Sequence, residues 1–537
     1  MKKYIDEILV LGFAVSVYFS ALVANDTWQN TGKLCGFGLL IALYFVLRLL
    51  FSTGKSWGGN VVGLLLVAAG VFEASLGLLQ IYGFKPSNHG LFRLTGTFFN
   101  PGPFAGFLAV VAPVAVWFLL EKDSIKGLKT PKILKRLKTI LALLTVFAIL
   151  LVLPAAMSRA AWLAVIAGCG LVVLNQSQIK SKITALSRVH RKKIIVAGCS
   201  LAVASVIALS GIYFLKKDSA DGRLLTWKIA LKTSVKYPAG VGLGNFSGAY
   251  GDEQAAYFAS GKASETEEYV AGNAEYAFNE YLQILVESGI ISLLLFCAIL
   301  VLALKRLLKL NIGLAGALVS LLVFAAFSYP LSLCEFCVTL VVLMSVSVNQ
   351  KETGIKRLRV IICGLIIVAA APLLVYRLYP AYQAKQQWER SQYFYHSGLH
   401  KEVVKTYRPL YNDLQDRVEF LFQYGRSLSM TEQYEESNTV LRRATNISCD
   451  PMFYNIMGNN YKALKKNEKA EESYLKASQI VPNRLYPYYL LMKLYDETGE
   501  REKALRVAET VLKKEPKVQS KAIEEMREDA RKVINNK

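Results

Sequence analysis

The chain has 537 residues, is 53% hydrophobic with a mean hydropathy of +0.32, and carries a formal charge of +23. Apolar runs near the ~20 residues that span a bilayer recur up to about residue 380, which excludes a soluble globule and reads as a polytopic membrane protein. The charge would point to nucleic acid only if the basic residues formed one soluble patch, and they do not.

In chain order the apolar runs predict about eleven helices, near residues 8–24, 34–51, 61–83, 102–120, 139–155, 160–174, 194–215, 281–304, 312–329, 331–348 and 360–379. Met1-Lys2-Lys3 precedes the first run without a small-residue cleavage site, so that run is expected to stay as an anchor. Basic residues gather in the loops holding Lys122 to Lys138, Lys180 to Lys193, Lys305 to Lys309 and Lys351 to Arg359. Threaded from a cytoplasmic amino terminus, all four fall on one side, the positive-inside pattern. Arg93, Arg159, the loop holding Arg223 and everything after Tyr379 are then expected on the extracytoplasmic face. No nucleoside triphosphate is expected there, so chemistry needs a substrate activated beforehand and delivered through the membrane.

Glu73 sits within the third run, where a carboxylate is expensive unless paired or lining a wet cavity, and is a candidate for that reason. Arg93 opens Arg93-Leu94-Thr95-Gly96-Thr97 before Asn100-Pro101, and Arg159 follows Ser158 and precedes Trp162. A polar loop, Lys216 to Ala277, then interrupts the apolar runs without an obvious fold of its own, and a loop of that size usually has a function. Within it Arg223 and Trp227 are four apart and share a helix face, with Lys228, Lys232 and Lys236 following before Pro238 stops the segment. Such a helix either lies along the outer interface with its cations toward an anion or packs as an ordinary amphipathic element. Gly240-Val241-Gly242-Leu243-Gly244-Asn245-Phe246 lacks the strand-turn-helix setting of a nucleotide loop and reads as a tight backbone turn. The loop closes on Asn279-Glu280-Tyr281-Leu282-Gln283.

Beyond about residue 384 the sequence turns polar with a period of 34: Gly458, Tyr461, Ala470, Tyr474, Ala477 and Pro482 recur as Met492, Tyr495, Ala504, Ala508, Val511 and Pro516. That is tetratricopeptide spacing, predicting an α-solenoid of three or four repeats over 384–537 that either binds a protein segment or merely stiffens the tail. Most cysteines fall in or beside apolar runs as small hydrophobes, and Cys449 stands alone in the tail, so no disulfide framework is expected.

The ordered set of Arg93, Arg159, Arg223 with Trp227, Asn245 and the Asn279-Glu280 element resembles the O-antigen ligase and polymerase family of bacterial envelope glycosyltransferases, over roughly residues 60 to 350. The resemblance implies an all-α, GT-C-like membrane domain over 1–383 in the bacterial inner membrane. It implies transfer of a glycan from a polyprenyl diphosphate carrier to a lipid core, a growing polysaccharide or a protein, without metal or other cofactor. The departing diphosphate is an anion, and the forked, permanently charged guanidinium groups of Arg93, Arg159 and Arg223 suit it. The family places a histidine where this chain has Phe278, and Glu275 or Glu280 is the candidate replacement as general base, with His89 a further possibility from another loop. The same departure supports the alternative of a non-catalytic membrane scaffold that recruits envelope partners through its repeats.

Overall fold

Long apolar segments without internal polar partners satisfy their backbone groups only as helices in a bilayer, and every regular element among the described residues is helical. The computed structural model describes residues 5–24, 31–53, 58–121, 132–176, 217–347 and 356–535. The membrane part comprises α1 (Ile5–Val23), α2 (Thr31–Thr53), α3 (Gly58–Ile81), α4 (Pro101–Leu120), α5 (Lys132–Ala155) and α6 (Arg159–Leu174). Three helices, α7 (Lys217–Lys236), α8 (Phe246–Ala259) and α9 (Glu265–Val270), precede α10 (Glu280–Leu310), α11 (Ile312–Ala325) and α12 (Cys334–Val346). The expected helix near 194–215 and much of the basic loops lie outside the described residues.

Six of these helices, α1 to α5 and α10, are long and apolar enough to cross a membrane. By contrast α6, α11 and α12 have 16, 14 and 13 residues, short of the ~20 that a hydrocarbon core needs. The reading of about eleven full spans therefore exceeds the long spans found among the described residues. The start of α6 and the segment following α11 lie at a shared cavity.

The core centres on α4, which packs against α3, α5, α6 and α11. Close approach of α6 to α11 depends on Gly168, where a Cβ would lie 2.1 Å from Ser320 Oγ and 2.6 Å from the Gly316 carbonyl. At the opposite end from that cavity's helix termini, Arg48 of α2 pairs with Asp6 at 2.7 Å and Glu7 at 2.9 Å of α1, and Arg306 of α10 also pairs with Asp6. Asp6 and Arg48 are both buried, so the pairing removes the cost of isolated charge and ties three helices.

The polar loop is not without a fold. Its helices α7, α8 and α9 build a core from Leu225, Ile229, Phe246, Tyr250 and Val270, to which Cys449, Ile480 and Val481 contribute from the carboxy-terminal region.

That region begins inside a helix: α13 (Lys356–His396) runs unbroken through residue 384, where composition changes. The remainder is α14 (His400–Tyr407), α15 (Tyr411–Leu414) and the pairs α16 (Val418–Met430) with α17 (Tyr434–Thr445), α18 (Pro451–Ala463) with α19 (Asn467–Ile480), and α20 (Leu485–Glu497) with α21 (Arg501–Lys513), closed by α22 (Lys521–Asn535). Residues that recur every 34 positions sit at the pair contacts: Ala470, Tyr474, Ala477, Met492, Ala504, Ala508 and Val511 are all buried. Gly458 lies against the Tyr474 ring, where a Cβ would be 2.3 Å from Cε1. Gly458→Val should therefore overpack the α18–α19 contact and destabilise the region by about 1–3 kcal/mol. Thermal unfolding of the full chain checks this against Gly170→Ala, whose added Cβ meets nothing within 4 Å.

Candidate active site

Arg93, Arg159 and Arg223 come from three separate elements and line one cavity of about 420 Å³. Its wall also includes Phe92, Asn100, Met157, Ser158, Ser219, Phe278, Phe327, Ser328 and Tyr329, and among the described residues contains no aspartate or glutamate. Two helices begin there. Asn100 caps α4, its Oδ1 accepting from the Gly102 amide at 3.0 Å, while Ser158 precedes α6 without a side-chain cap bond. The positive ends of both dipoles add to the guanidinium charge, so the cavity suits an anion.

Each arginine is held by a different device. The Arg93 loop is tied to α3: Glu73 accepts from the Thr97 amide at 3.0 Å and from the Thr97 hydroxyl, and Gln80 Oε1 accepts from the Thr95 and Gly96 amides at 2.8 Å. Glu73 and Gln80 are seven apart, two helical turns, and share a face. Glu73 therefore has its partners within the protein and does not line the cavity, and Gln80 escaped the sequence reading although the seven-residue spacing of two polar groups on an apolar helix is a usable signal.

Arg223 stands on α7. Its Nη1 donates to the Phe327 carbonyl at 2.9 Å, and its guanidinium lies 5.2 Å from the Phe278 ring centroid. Burial and the nearby Arg159 charge both lower its pKa from the usual arginine value, the expected direction when cations are gathered without carboxylates. Trp227, one turn on, does not line the cavity. Its indole donates to the Ala277 carbonyl at 3.0 Å, and Gln283 Oε1 accepts from the Ala277 amide at 2.8 Å. Both backbone groups of Ala277 are thus fixed, which supports Phe278 in the left-handed region at φ 51°. Phe278 meets Tyr329 edge-on at 5.5 Å, and Tyr329 stacks on Tyr276 at 4.6 Å.

The two candidate bases do not line the cavity. Glu280 is buried at the start of α10 and accepts from the Leu331 amide at 2.6 Å, fixing the turn that carries Tyr329. Glu275 is exposed, next to Tyr276. Burial and then the Glu275 charge push the Tyr276 hydroxyl up to about 12. Asn279 caps α10, accepting from the Tyr281 and Leu282 amides at 3.1 Å, and Asn245 donates to the Val241 carbonyl at 2.9 Å. Neither lines the cavity, nor does His89, whose Nδ1 accepts from the Leu91 amide at 3.0 Å.

Instead of cradling a ligand, the glycine-rich turn packs backbone to backbone. At Gly289 α10 is broken, with φ 80° and ψ 176°, and a Cβ there would lie 2.6 Å from the Pro238 carbonyl. Gly240, at φ 91°, approaches the Glu287 carbonyl equally closely, and the Val241 and Gly242 amides donate to Val286 and Glu287 at 2.9 Å.

Fold and cavity together define a polytopic helical membrane protein with a cationic cavity at helix ends, carboxylate-free among the described residues. Residues 143–297 match the family described as O-antigen ligase, a span that includes Arg159, Arg223, Phe278 and Glu280 but neither Arg93 nor the paired helices. Over that span the chain is similar to the O-antigen ligase family of membrane glycosyltransferases. No curated protein matches the sequence.

Beside the cavity, Lys228 of α7 pairs with Glu267 of α9 at 2.6 Å. Burial opposes ionisation, but Lys228, the Ser264 amide and the Tyr257 hydroxyl together draw the Glu267 carboxyl down to about 2. Because this folded value lies below the ordinary 4.5, the pair's stabilisation is fully present above about pH 4.5 and is lost as pH falls toward 2. Glu267→Gln should remove that part of the acid dependence, measured as hydrogen exchange of α9 amides between pH 5 and 3 on a rate-corrected scale.

Proposed function

We propose that the chain is an inverting glycosyltransferase that takes a glycan from a polyprenyl diphosphate and transfers it to an acceptor hydroxyl on the outer face of the membrane. The observation that carries this reading is the convergence of Arg93, Arg159 and Arg223 with two helix amino termini on a cavity free of carboxylates. The acceptor oxygen attacks the anomeric carbon as the bond to the diphosphate breaks, and the leaving group takes the electron pair. Negative charge grows on the diphosphate oxygens in the transition state, where fixed guanidinium donors stabilise it most. The acceptor's proton passes to a carboxylate. Of the two candidates, Glu275 is the exposed one beside the Tyr276–Tyr329 wall, whereas Glu280 is committed to the Leu331 amide. We assign Glu275 as the base and Glu280 as the residue that holds the wall.

The positive-inside pattern supports placing the 216–277 loop and the carboxy-terminal region outside. The 34-residue period and the buried small residues of the helix pairs support reading that region as tetratricopeptide repeats. Lipid core, growing polysaccharide and protein remain the acceptor classes for such a cavity.

Arg159→Ala and Arg223→Ala should each reduce transfer from a polyprenyl diphosphate glycan in vitro by about a hundredfold or more, and lysine should restore little, because a point charge lacks the paired donors. Wild-type transfer by both alanine variants at equal protein levels contradicts the assignment. Glu275→Ala should lower kcat by about a hundred- to ten-thousand-fold with the donor KM unchanged, the usual loss for a general base. Glu280→Gln should instead alter both constants, and Phe278→His should leave transfer intact.

A further inference from the structure

The helix that carries Arg223 reaches the carboxy-terminal region through a continuous set of contacts. On one side α7 packs against α10, and on the other against α8 and α9, while α8 lies on α19. The contact of α8 with the carboxy-terminal region, at α19 and at the turn between α17 and α18, is close and specific. Ser247 Oγ accepts from the Cys449 amide at 3.1 Å and donates to Cys449 Sγ at 3.3 Å. Gly248 and Gly251 present bare backbone: a Cβ would lie 2.1 Å from the Asn446 carbonyl at the first and 2.4 Å from Cys449 Cβ at the second. Gln254, fully buried, donates to the Gly272 and Ile480 carbonyls at 3.0 and 2.6 Å.

The carboxy-terminal region also finishes α9. A helix leaves its last carbonyls without internal partners, and here they are met from another part of the chain. The Asn483 side-chain amide donates to the Glu268, Tyr269 and Ala271 carbonyls at 3.1, 2.9 and 2.8 Å. Lys517 adds a bond to Ala271 at 3.2 Å, and Lys514 pairs with Glu268 at 2.7 Å. A passive spacer needs no such partners, and the surface formed by Cys449, Ile480 and Asn483 is occupied by the chain's own loop.

We infer that the paired helices are a positioning element for donor binding: by carrying α8 and α9 they hold α7, and with it Arg223, at the cavity. Arg223 is the only cavity arginine supplied by the loop. Its Nη1 bond to Phe327 and its place over Phe278 each depend on where α7 lies, as does the Trp227 bond that fixes Ala277. The inference rests on the cavity receiving the donor diphosphate, but the mechanical coupling is measurable without that reading.

The test uses the purified full chain in lipid nanodiscs, with Asn483→Asp, which removes the donors at nearly constant shape, Gly251→Val, which pushes α8 from Cys449, and Lys513→Ala as an exposed control. Hydrogen exchange is followed in α7, α8 to α9 and α16 to α18, alongside KM for a polyprenyl diphosphate glycan and for the acceptor. Both interface variants should speed exchange in α7 as well as in α8 and α9, by about fivefold for the loss of one buried hydrogen bond, with α16 unchanged. Donor KM should rise by a similar factor while acceptor KM stays constant, a split that general loss of folded protein does not produce. Unchanged exchange in α7 when α8 and α9 loosen overturns the inference, as does equal movement of both KM values. If α7 loosens while the wild type shows no transfer at all, the coupling stands and the reading of the cavity is what fails. Asn483→Asp keeps the test decisive if Gly251→Val does not fold.

Discussion

Mutual repulsion among Arg93, Arg159 and Arg223 is the constraint on which the rest of the arrangement depends. Cations gathered on one cavity wall repel one another, and the Arg223 pKa is lowered first by burial and then by the Arg159 charge. Each is held in place by a different part of its surroundings. Glu73 and Gln80 of α3 secure the Arg93 loop, the start of a shortened helix sets Arg159, and a three-helix platform carries Arg223. In the proposed reaction a diphosphate would supply negative charge, and the attraction would strengthen as the carrier bond breaks. On that reading, the energy of holding like charges together would be directed to the step that releases the leaving group.

The same logic accounts for residues near the cavity that do not touch it. Glu280, Gln283 and Trp227 act on backbone: one fixes the turn after Tyr329, and the other two clamp Ala277 so that Phe278 keeps a left-handed conformation. Gly240 and Gly289 allow the loop backbone to rest on the broken α10. Carboxylates and amides that resemble catalytic groups in a sequence here build the wall behind them.

Much of this was legible in the sequence because local spacing carries it. Apolar runs marked helices at ten of the eleven expected places, with the remaining one outside the described residues. The four-residue interval between Arg223 and Trp227 placed them one turn apart on α7, and the 34-residue period marked the buried positions of the helix pairs. What was not legible depends on distant partners. The 216–277 loop looked unstructured because its core is completed by Cys449, Ile480 and Val481, some two hundred residues on. Likewise Cys449 looked solitary, although it is buried against Ser247. The boundary at residue 384 is a change of composition but not of backbone, since α13 runs through it. Glu280 and Glu275 were indistinguishable in sequence; a hydrogen bond to Leu331 and a difference in burial separate them.

Determination of the structure with a polyprenyl diphosphate bound tests the central claim most directly. The account predicts the diphosphate in the 420 Å³ cavity, with its oxygens within hydrogen-bond distance of guanidinium groups from Arg159 and Arg223 and facing the start of α6. A diphosphate found elsewhere, for example in the seam between Lys33, Lys385 and Arg417, with the three arginines left facing solvent, would contradict it.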